Sequence, residues 1–257
     1  MGRLDGEVAV VTGGSRGIGL AIVEKMAHEG ARVTFLDVDA EAGAAAAADL
    51  AKRFPDVTFL QADVTVEAAV RRALDEVVRR QGTVDVLVNN AGVNAYFDAT
   101  LMTEAEWDAV FAVDLKGAWL CAKHALPAMK RAGRGSIVNI ASIHASLTIP
   151  GMFPYAAAKS GLVGLTRSLA LDYAPLNIRV NAVLPGWTRT RLVQEWFQAQ
   201  ADPAEAERRV LSVHPLKRLA LPAEVANLVA FVASGEASAI TGAALAVDCG
   251  LGVQFAT

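Results

Sequence analysis

Seven short apolar runs with helical periodicity between them constrain this chain more than any other feature. They lie at Val8–Thr12, Val33–Asp37, Val57–Gln61, Val84–Asn89, Ser136–Ala141, Arg179–Leu184 and Ala243–Val247, and most are rich in β-branched residues. Runs apolar on both faces need cover on both faces, and intervening helices make the connections right-handed crossovers. The alternation therefore predicts an α/β fold with a mainly parallel sheet and helices on both faces. Ala44–Ala48 looks like low complexity but sits between Glu41 and Leu50–Arg53, so it reads as helix rather than linker. No Pro-, Gly- or Ser-rich boundary divides the 257 residues, a length that one α/β domain can hold, so residues 1–257 are expected to form a single domain.

The first run leads directly into Gly13-Gly14-Ser15-Arg16-Gly17-Ile18-Gly19, followed by apolar residues at helical spacing, Ile22, Val23, Met26 and Ala27. This is strand, glycine turn, helix. Glycines let a pyrophosphate approach the backbone, and the helix N-terminus offers it unpaired N–H groups. The spacing is Gly-x-x-x-Gly-x-Gly rather than the general dinucleotide fingerprint, and an isolated glycine turn is more often only a turn. The second run, however, ends at Asp37, where an acid can meet the ribose hydroxyls of an adenosine. Asp37 would accept from both hydroxyls of NAD and repel a 2′-phosphate, whereas Arg16 is of the type that receives that phosphate. No Arg or Lys follows in Val38-Asp39, and Asp39 adds negative charge, so NAD is expected over NADP.

Tyr155-Ala-Ala-Ala-Lys159 places a phenol and an ammonium four residues apart, on one face of a helix. A phenol titrates near pH ~10, and a neighbouring cation favours the phenolate a base at neutral pH requires. Ser142 ends the run Gly135–Ala141, where its hydroxyl can bind the oxygen that Tyr155 protonates. By itself such a Tyr–Lys pair is usually a solvated surface pair; the dinucleotide turn elsewhere in the chain changes that reading.

Together these residues resemble the short-chain dehydrogenase/reductase family over nearly the whole chain. Thr12–Gly19 resembles its cofactor turn, with Gly13, Ser15, Arg16, Gly17, Ile18 and Gly19 at the dinucleotide, and Asp63-Val64 its adenine contact. Asn89-Asn90-Ala91-Gly92 is similar to the motif that stabilises the central sheet and lies along the cofactor. Ser142, Tyr155 and Lys159 match the catalytic trio, the last two also touching the cofactor, and Pro185-Gly186 with Thr188 and Thr190 resembles the nicotinamide-side loop. The resemblance implies a single-domain, Rossmann-like, doubly wound sheet of seven strands and a homo-oligomeric NAD(P)-dependent oxidoreductase. It does not imply a substrate.

One family residue is missing. Many members place an asparagine in the long helix before the catalytic strand, supporting a water relay to the lysine; this chain has Asp114. Asp114 falls on an apolar stripe with Val110, Phe111 and Ala118, and a buried carboxylate needs partners. It can pair with Lys159 if ionised or donate a hydrogen bond if protonated; equally, it can be a structural carboxylate held by backbone groups.

Residues 190–219 interrupt the alternation with Trp196, Phe197, Pro203 and the charged stretch Glu205–Arg209. An insertion here would overhang the carboxyl ends of the strands and serve as a substrate lid, or else be a static helical excursion. The expected substrate walls are Asn94, Tyr96, His144, Phe153, Trp187 and Trp196, with His144 alternatively a structural loop residue. Polar Asn94 and His144 beside aromatic rings that can stack on a sugar face favour a sugar or polyol. The leading function is thus an NAD-dependent dehydrogenase of a secondary alcohol. A carbonyl or 3-oxoacyl reductase is the rival within the enzyme class, and a non-catalytic dinucleotide-binding regulator the one outside it, disfavoured because the trio is intact.

Composition narrows the partners to small molecules. A net charge of −3 without a basic cluster argues against nucleic acid, and no uncharged apolar run reaches the ~20 residues of a membrane span. Arg3, Asp5 and Glu7 interrupt any signal-peptide pattern, so a cytoplasmic protein is expected. Cys121 and Cys249 lack metal-ligand spacing and read as packed thiols; no metal site is expected. The apolar helix Trp107–Met129, the helix opening at Tyr155 and the segment Ala243–Phe255, taken with the resemblance, suggest a homotetramer.

Overall fold

The computed structural model describes residues 2–253. Strands β1 (Val8–Thr12), β2 (Arg32–Asp37), β3 (Val57–Gln61), β4 (Val86–Asn89), β5 (Gly135–Ile140), β6 (Ile178–Pro185) and β7 (Ala244–Val247) form one sheet in the order β3-β2-β1-β4-β5-β6-β7. Every adjacent pair is parallel, with Val11 of β1 opposite Phe35 of β2 on one side and Val88 of β4 on the other. The order reverses direction between β1 and β4, and the strand ends part there to leave a crevice.

Helices α1 (Gly17–His28), α2 (Ala40–Leu50), α3 (Glu67–Gln81), α4 (Glu104–Phe111), α5 (Gly117–Ala132), α6 (Tyr155–Tyr173), α7 (Arg191–Gln198), α8 (Pro203–Ser212) and α9 (Pro222–Ala233) complete the fold. Their ends follow from local chemistry. Asp39 caps α2 by accepting from Ala42 N at 2.9 Å, Thr103 and Glu106 form a reciprocal box at α4, and Asp202 caps α8 ahead of Pro203. Gly82 and Gly133, both at positive φ, terminate α3 and α5.

Two apolar layers sandwich the sheet. On one face Ile22, Val23 and Met26 of α1 pack with Val225, Val229 and Val232 of α9, and Leu50 of α2 covers the outer strands. On the other, Val70, Leu74 and Val77 of α3 meet Leu120, Cys121 and Met129 of α5. Full burial of one such aliphatic side chain contributes about 1.5–3 kcal/mol, so these layers dominate the stabilisation of the sheet. Burial also pushes the Cys121 thiol up to about 12, leaving it a packed, protonated group.

A polar ladder crosses this apolar interior. Asn89 Nδ2 donates to Asn139 Oδ1 at 2.8 Å between registered positions of β4 and β5, and Asn139 Nδ2 donates to Thr166 Oγ1 of α6 at 2.9 Å. It fixes the strand that precedes Ser142 against the helix that begins at Tyr155.

The helix expected over Trp107–Met129 is present but not uniform: Ala112–Lys116 is a π-helical turn between α4 and α5. The stretch expected to interrupt the alternation forms α7 and α8. Its entry pairs with its exit, Arg189 N donating to Ala220 O at 2.8 Å and Ala220 N to Trp187 O at 3.1 Å. Of the apolar C-terminal segment, Leu251–Val253 forms a short helical turn, and residues 254 and 255 lie outside the described residues. Among the described residues no helix is long and apolar enough to cross a membrane.

Candidate active site

One cleft of about 1090 Å³ runs along the carboxyl ends of the strands. It begins at the turn between β1 and α1. Gly13 holds φ +63°, and a Cβ on Gly19 would lie 2.0 Å from Gly13 O, so the chain curls tightly only because both are glycine. Asn90 Nδ2 ties the turn to β4 by donating to Thr12 O at 3.0 Å and Gly13 O at 2.9 Å, while Thr12 Oγ1 accepts from Asn90 N and Ala91 N. No side chain caps α1 and its first turn carries no acid, so its N–H groups face the cleft with the positive end of the helix dipole.

At the end of β2, Asp37 Oδ2 accepts from the Ser15 hydroxyl and from Ser15 N at 3.2 Å, and Oδ1 accepts from Asp39 N at 3.1 Å. Arg16 projects from the turn at the rim, where Nη2 meets Asp39 Oδ2 at 2.6 Å. Asp63 closes a small turn by accepting from Thr65 N and Oγ1, and Val64 beside it packs where Gly117 leaves room. A close backbone approach, an uncapped helix N-terminus and a strand-end carboxylate in sequence fit a nicotinamide dinucleotide: anionic pyrophosphate at α1, ribose hydroxyls at Asp37.

At the opposite end Tyr155 opens α6 and Lys159 follows one turn later, buried, with Nζ 5.5 Å from the Tyr155 ring centroid. Ser142 lies just past β5, where its Oγ accepts from His144 N at 3.2 Å. Lys159 Nζ reaches Ile140 O at 3.4 Å and stands 3.8 Å from Asp114 Oδ1, which also accepts from Val93 N at 2.8 Å. Asp114 lies in the π turn, a device that re-aims a side chain within a helix. Gly92 makes the convergence possible, since a Cβ there would stand 3.0 Å from both Asp114 Oδ1 and Lys159 Nζ. Burial raises the Asp114 carboxyl above its ordinary range, with Lys159 and then the Val93 N–H pulling the other way, and Asp114 Oδ2 has no hydrogen-bonding partner.

The outer wall comes from three segments. Tyr96 is held by a bridge to Pro154 and has its phenol raised, first by burial and second by the nearby Tyr155. His144 meets the Tyr155 ring edge-on at 6.0 Å, its Nδ1 is 3.2 Å from Thr148 Oγ1, and burial lowers its pKa, favouring neutral imidazole. Trp187, Trp196 and buried Phe197 form an aromatic cluster at centroid distances of 5.0–6.0 Å, placing α7 over the cleft. Thr190 caps α7 through Val193 N at 3.3 Å, and Thr188 Oγ1 donates to Gly186 O.

The residues expected at the cofactor and substrate line this cleft, with Phe153 the exception. Its carbonyl accepts from Phe97 N at 2.9 Å and its ring turns to Trp107 at 5.7 Å, so it supports the wall from behind. Asp114 reaches the site from beneath, through Lys159 and Val93. Sequence reasoning missed the Ile149–Met152 stretch on the cleft wall and Asn139 as a support, and it reached Arg191, Leu192 and Glu195 only as part of the segment 190–219. Asn139 carried a signal, being an amide flanked by the apolar Ile137, Val138 and Ile140; the Ile149–Met152 stretch carried none. Among the described residues no cluster of three or more His, Cys, Asp or Glu is placed to hold a metal.

A family model described as Enoyl-(Acyl carrier protein) reductase matches residues 13–252. The cis-4-hydroxycyclohexanecarboxylate dehydrogenase of Sinomonas cyclohexanicum is 42% identical over 249 residues, with 95% of each chain covered. Among solved structures, levodione reductase superposes with a TM-score of 0.93 at 33% identity, covering 98% of this chain and 100% of its own. The ligand-free aldohexose dehydrogenase of Thermoplasma acidophilum gives 0.88 at 38% identity, covering 98% and 96%.

Proposed function

Because the chain belongs to the short-chain dehydrogenase/reductase family of oxidoreductases acting on alcohols and carbonyls, we propose that it is an NAD-dependent dehydrogenase of a secondary alcohol. The observation that carries this reading is the convergence of Ser142, Tyr155 and Lys159 at one end of the cleft whose other end is the glycine turn and Asp37. When bound, the nicotinamide supplies a two-electron acceptor for the hydrogen of the carbinol carbon. Tyr155 takes the hydroxyl proton during oxidation and returns it in reduction. Ser142 holds the same oxygen by a hydrogen bond, and Lys159 steadies the charge on Tyr155 and binds the cofactor ribose. A positioned acid/base of this kind contributes about 10²–10⁴ in rate, and alignment of the reactants supplies much of the remainder.

Asp114 stands at the inner end of this proton path. Its unpartnered Oδ2 and its Oδ1 beside Lys159 suit it to pass a proton onward from the lysine, in place of the asparagine many relatives carry. Preference for NAD rests on Asp37, whose carboxylate faces the place of the adenosine ribose and disfavours a 2′-phosphate.

A sugar or polyol is the substrate class we favour. Trp187, Trp196 and Tyr96 offer flat faces for a sugar ring, and Asn94 and neutral His144 lie beside them as polar contacts. An aldohexose dehydrogenase stands among the similar structures. The segment 190–219 acts as the lid over this pocket. Carbonyl reduction is the second reading, favoured by the likeness to levodione reductase. The reading includes a homotetramer located in the cytoplasm. Its test is NADH formation by the purified protein with a panel of sugars, polyols and hydroxy acids. Turnover of one of the first two classes is expected, and NADPH-linked ketone reduction without any alcohol oxidation would overturn it.

A further inference from the structure

The glycine turn and the end of β2 are joined by two carboxylates with different duties. Asp37 is engaged by Ser15, which precedes Arg16 in the turn. Asp39 divides its oxygens: Oδ1 accepts from Ala42 N and starts α2, while Oδ2 receives the Arg16 guanidinium. Those contacts, the Ala42 N–H first and Arg16 second, lower the Asp39 carboxyl below its ordinary range, so it is ionised at neutral pH. Arg16 has Asp39 as its ion-pair partner, and it is the cation of the glycine turn on the cleft rim.

A guanidinium at this rim can bind a phosphate on the adenosine ribose bidentately, but not while its Nη2 serves Asp39. We propose that Asp39 is a cofactor-specificity residue, holding Arg16 away from the ribose and adding a second negative charge beside Asp37. The chain then contains a latent 2′-phosphate site that a neighbouring carboxylate keeps shut. This rests on the reading of the cleft as a dinucleotide site.

The division of labour within Asp39 makes the test clean. Asp39→Asn keeps an oxygen to cap α2 and loses the charge that holds Arg16; Asp39→Ser, another strong cap, is the second variant. NADH and NADPH are titrated into the full chain, following tryptophan quenching and nicotinamide emission, which reads binding without turnover. Releasing an exposed ion pair and removing one neighbouring charge should tighten NADPH by about five- to tenfold. The gain should shrink as salt rises and disappear when Arg16→Ala is added. An NADPH Kd within about twofold of wild type in both variants, with NADH still bound and melting retained, would overturn the proposal. So would a gain that survives Arg16→Ala. Wild-type protein that binds neither NADH nor NADPH would instead remove the dinucleotide reading, and this proposal with it.

Discussion

In the proposed reaction Tyr155 changes protonation in every cycle, and Asp114, buried 3.8 Å from Lys159, passes the proton onward. Tyr155→Phe keeps the ring packed against His144 and removes only the hydroxyl. Turnover should fall at least about a hundredfold while NADH still binds; retention of more than about a tenth of the activity contradicts the assigned role. For Asp114, the near-isosteric Asp114→Asn should fold and keep substantial activity with an altered pH profile. Asp114→Ala leaves the Val93 N–H without its acceptor, at a cost of about 1–3 kcal/mol, and should lose far more activity. The raised carboxyl also sets a sign for stability. A folded-state pKa above the unfolded one gives stability that is fully present below the unfolded value and is lost as pH rises through the folded one. The melting temperature of Asp114→Asn should therefore gain on wild type as pH rises from about 4, the ordinary aspartate value, through the raised folded-state value. A constant gap would mean that the carboxyl is not disfavoured by burial, and unchanged kcat across pH in Asp114→Ala would leave it a structural group.

Among the elements, α7 and α8 are joined to the body by the pairing of Trp187 and Arg189 with Ala220, and by Arg189 to Glu207 at 2.6 Å, while Leu192 and Trp196 remain exposed over the cleft. If they close on bound ligands, amide exchange in α7 should slow by about tenfold or more in the presence of NADH and substrate, with α6 unchanged. Equal exchange with and without ligands identifies a static cover. The strands were legible almost to the residue, because continuous Val, Ile and Leu runs with helices between them have one common solution. The glycine turn, the acid after β2 and the Tyr–Lys pair were legible because each is local. What escaped depended on distant neighbours. Phe153 was expected on the wall as one of its aromatic rings, but its direction is set by Phe97 and Trp107. The π turn was invisible because the extra residue it accommodates matters only where Asp114 meets Val93 and Lys159. Arg16 and Asp39 were read as separate charges of opposite tendency, and their contact appears only when β2 lies beside the glycine turn.

For the whole molecule, exposed Trp107 and Trp119 on α4 and α5, and Leu171 on α6, leave apolar surface on the helices expected to pair in an assembly. Light scattering at micromolar concentration should give four times the 26.9 kDa chain mass, and a monomer mass would exclude the proposed tetramer. The ladder of Asn89, Asn139 and Thr166 bears on a different question, that of how the chain avoids a wrong answer. Valine and isoleucine runs are nearly interchangeable, and a parallel sheet made of them can close one residue out of step. A slip exchanges the faces of a strand, and here it would strand amides in hydrocarbon. The ladder therefore works as a checksum: a copy one residue out of step loses the bonds from Asn89 to Asn139 and from Asn139 to Thr166 inside its core, and only the aligned copy keeps them.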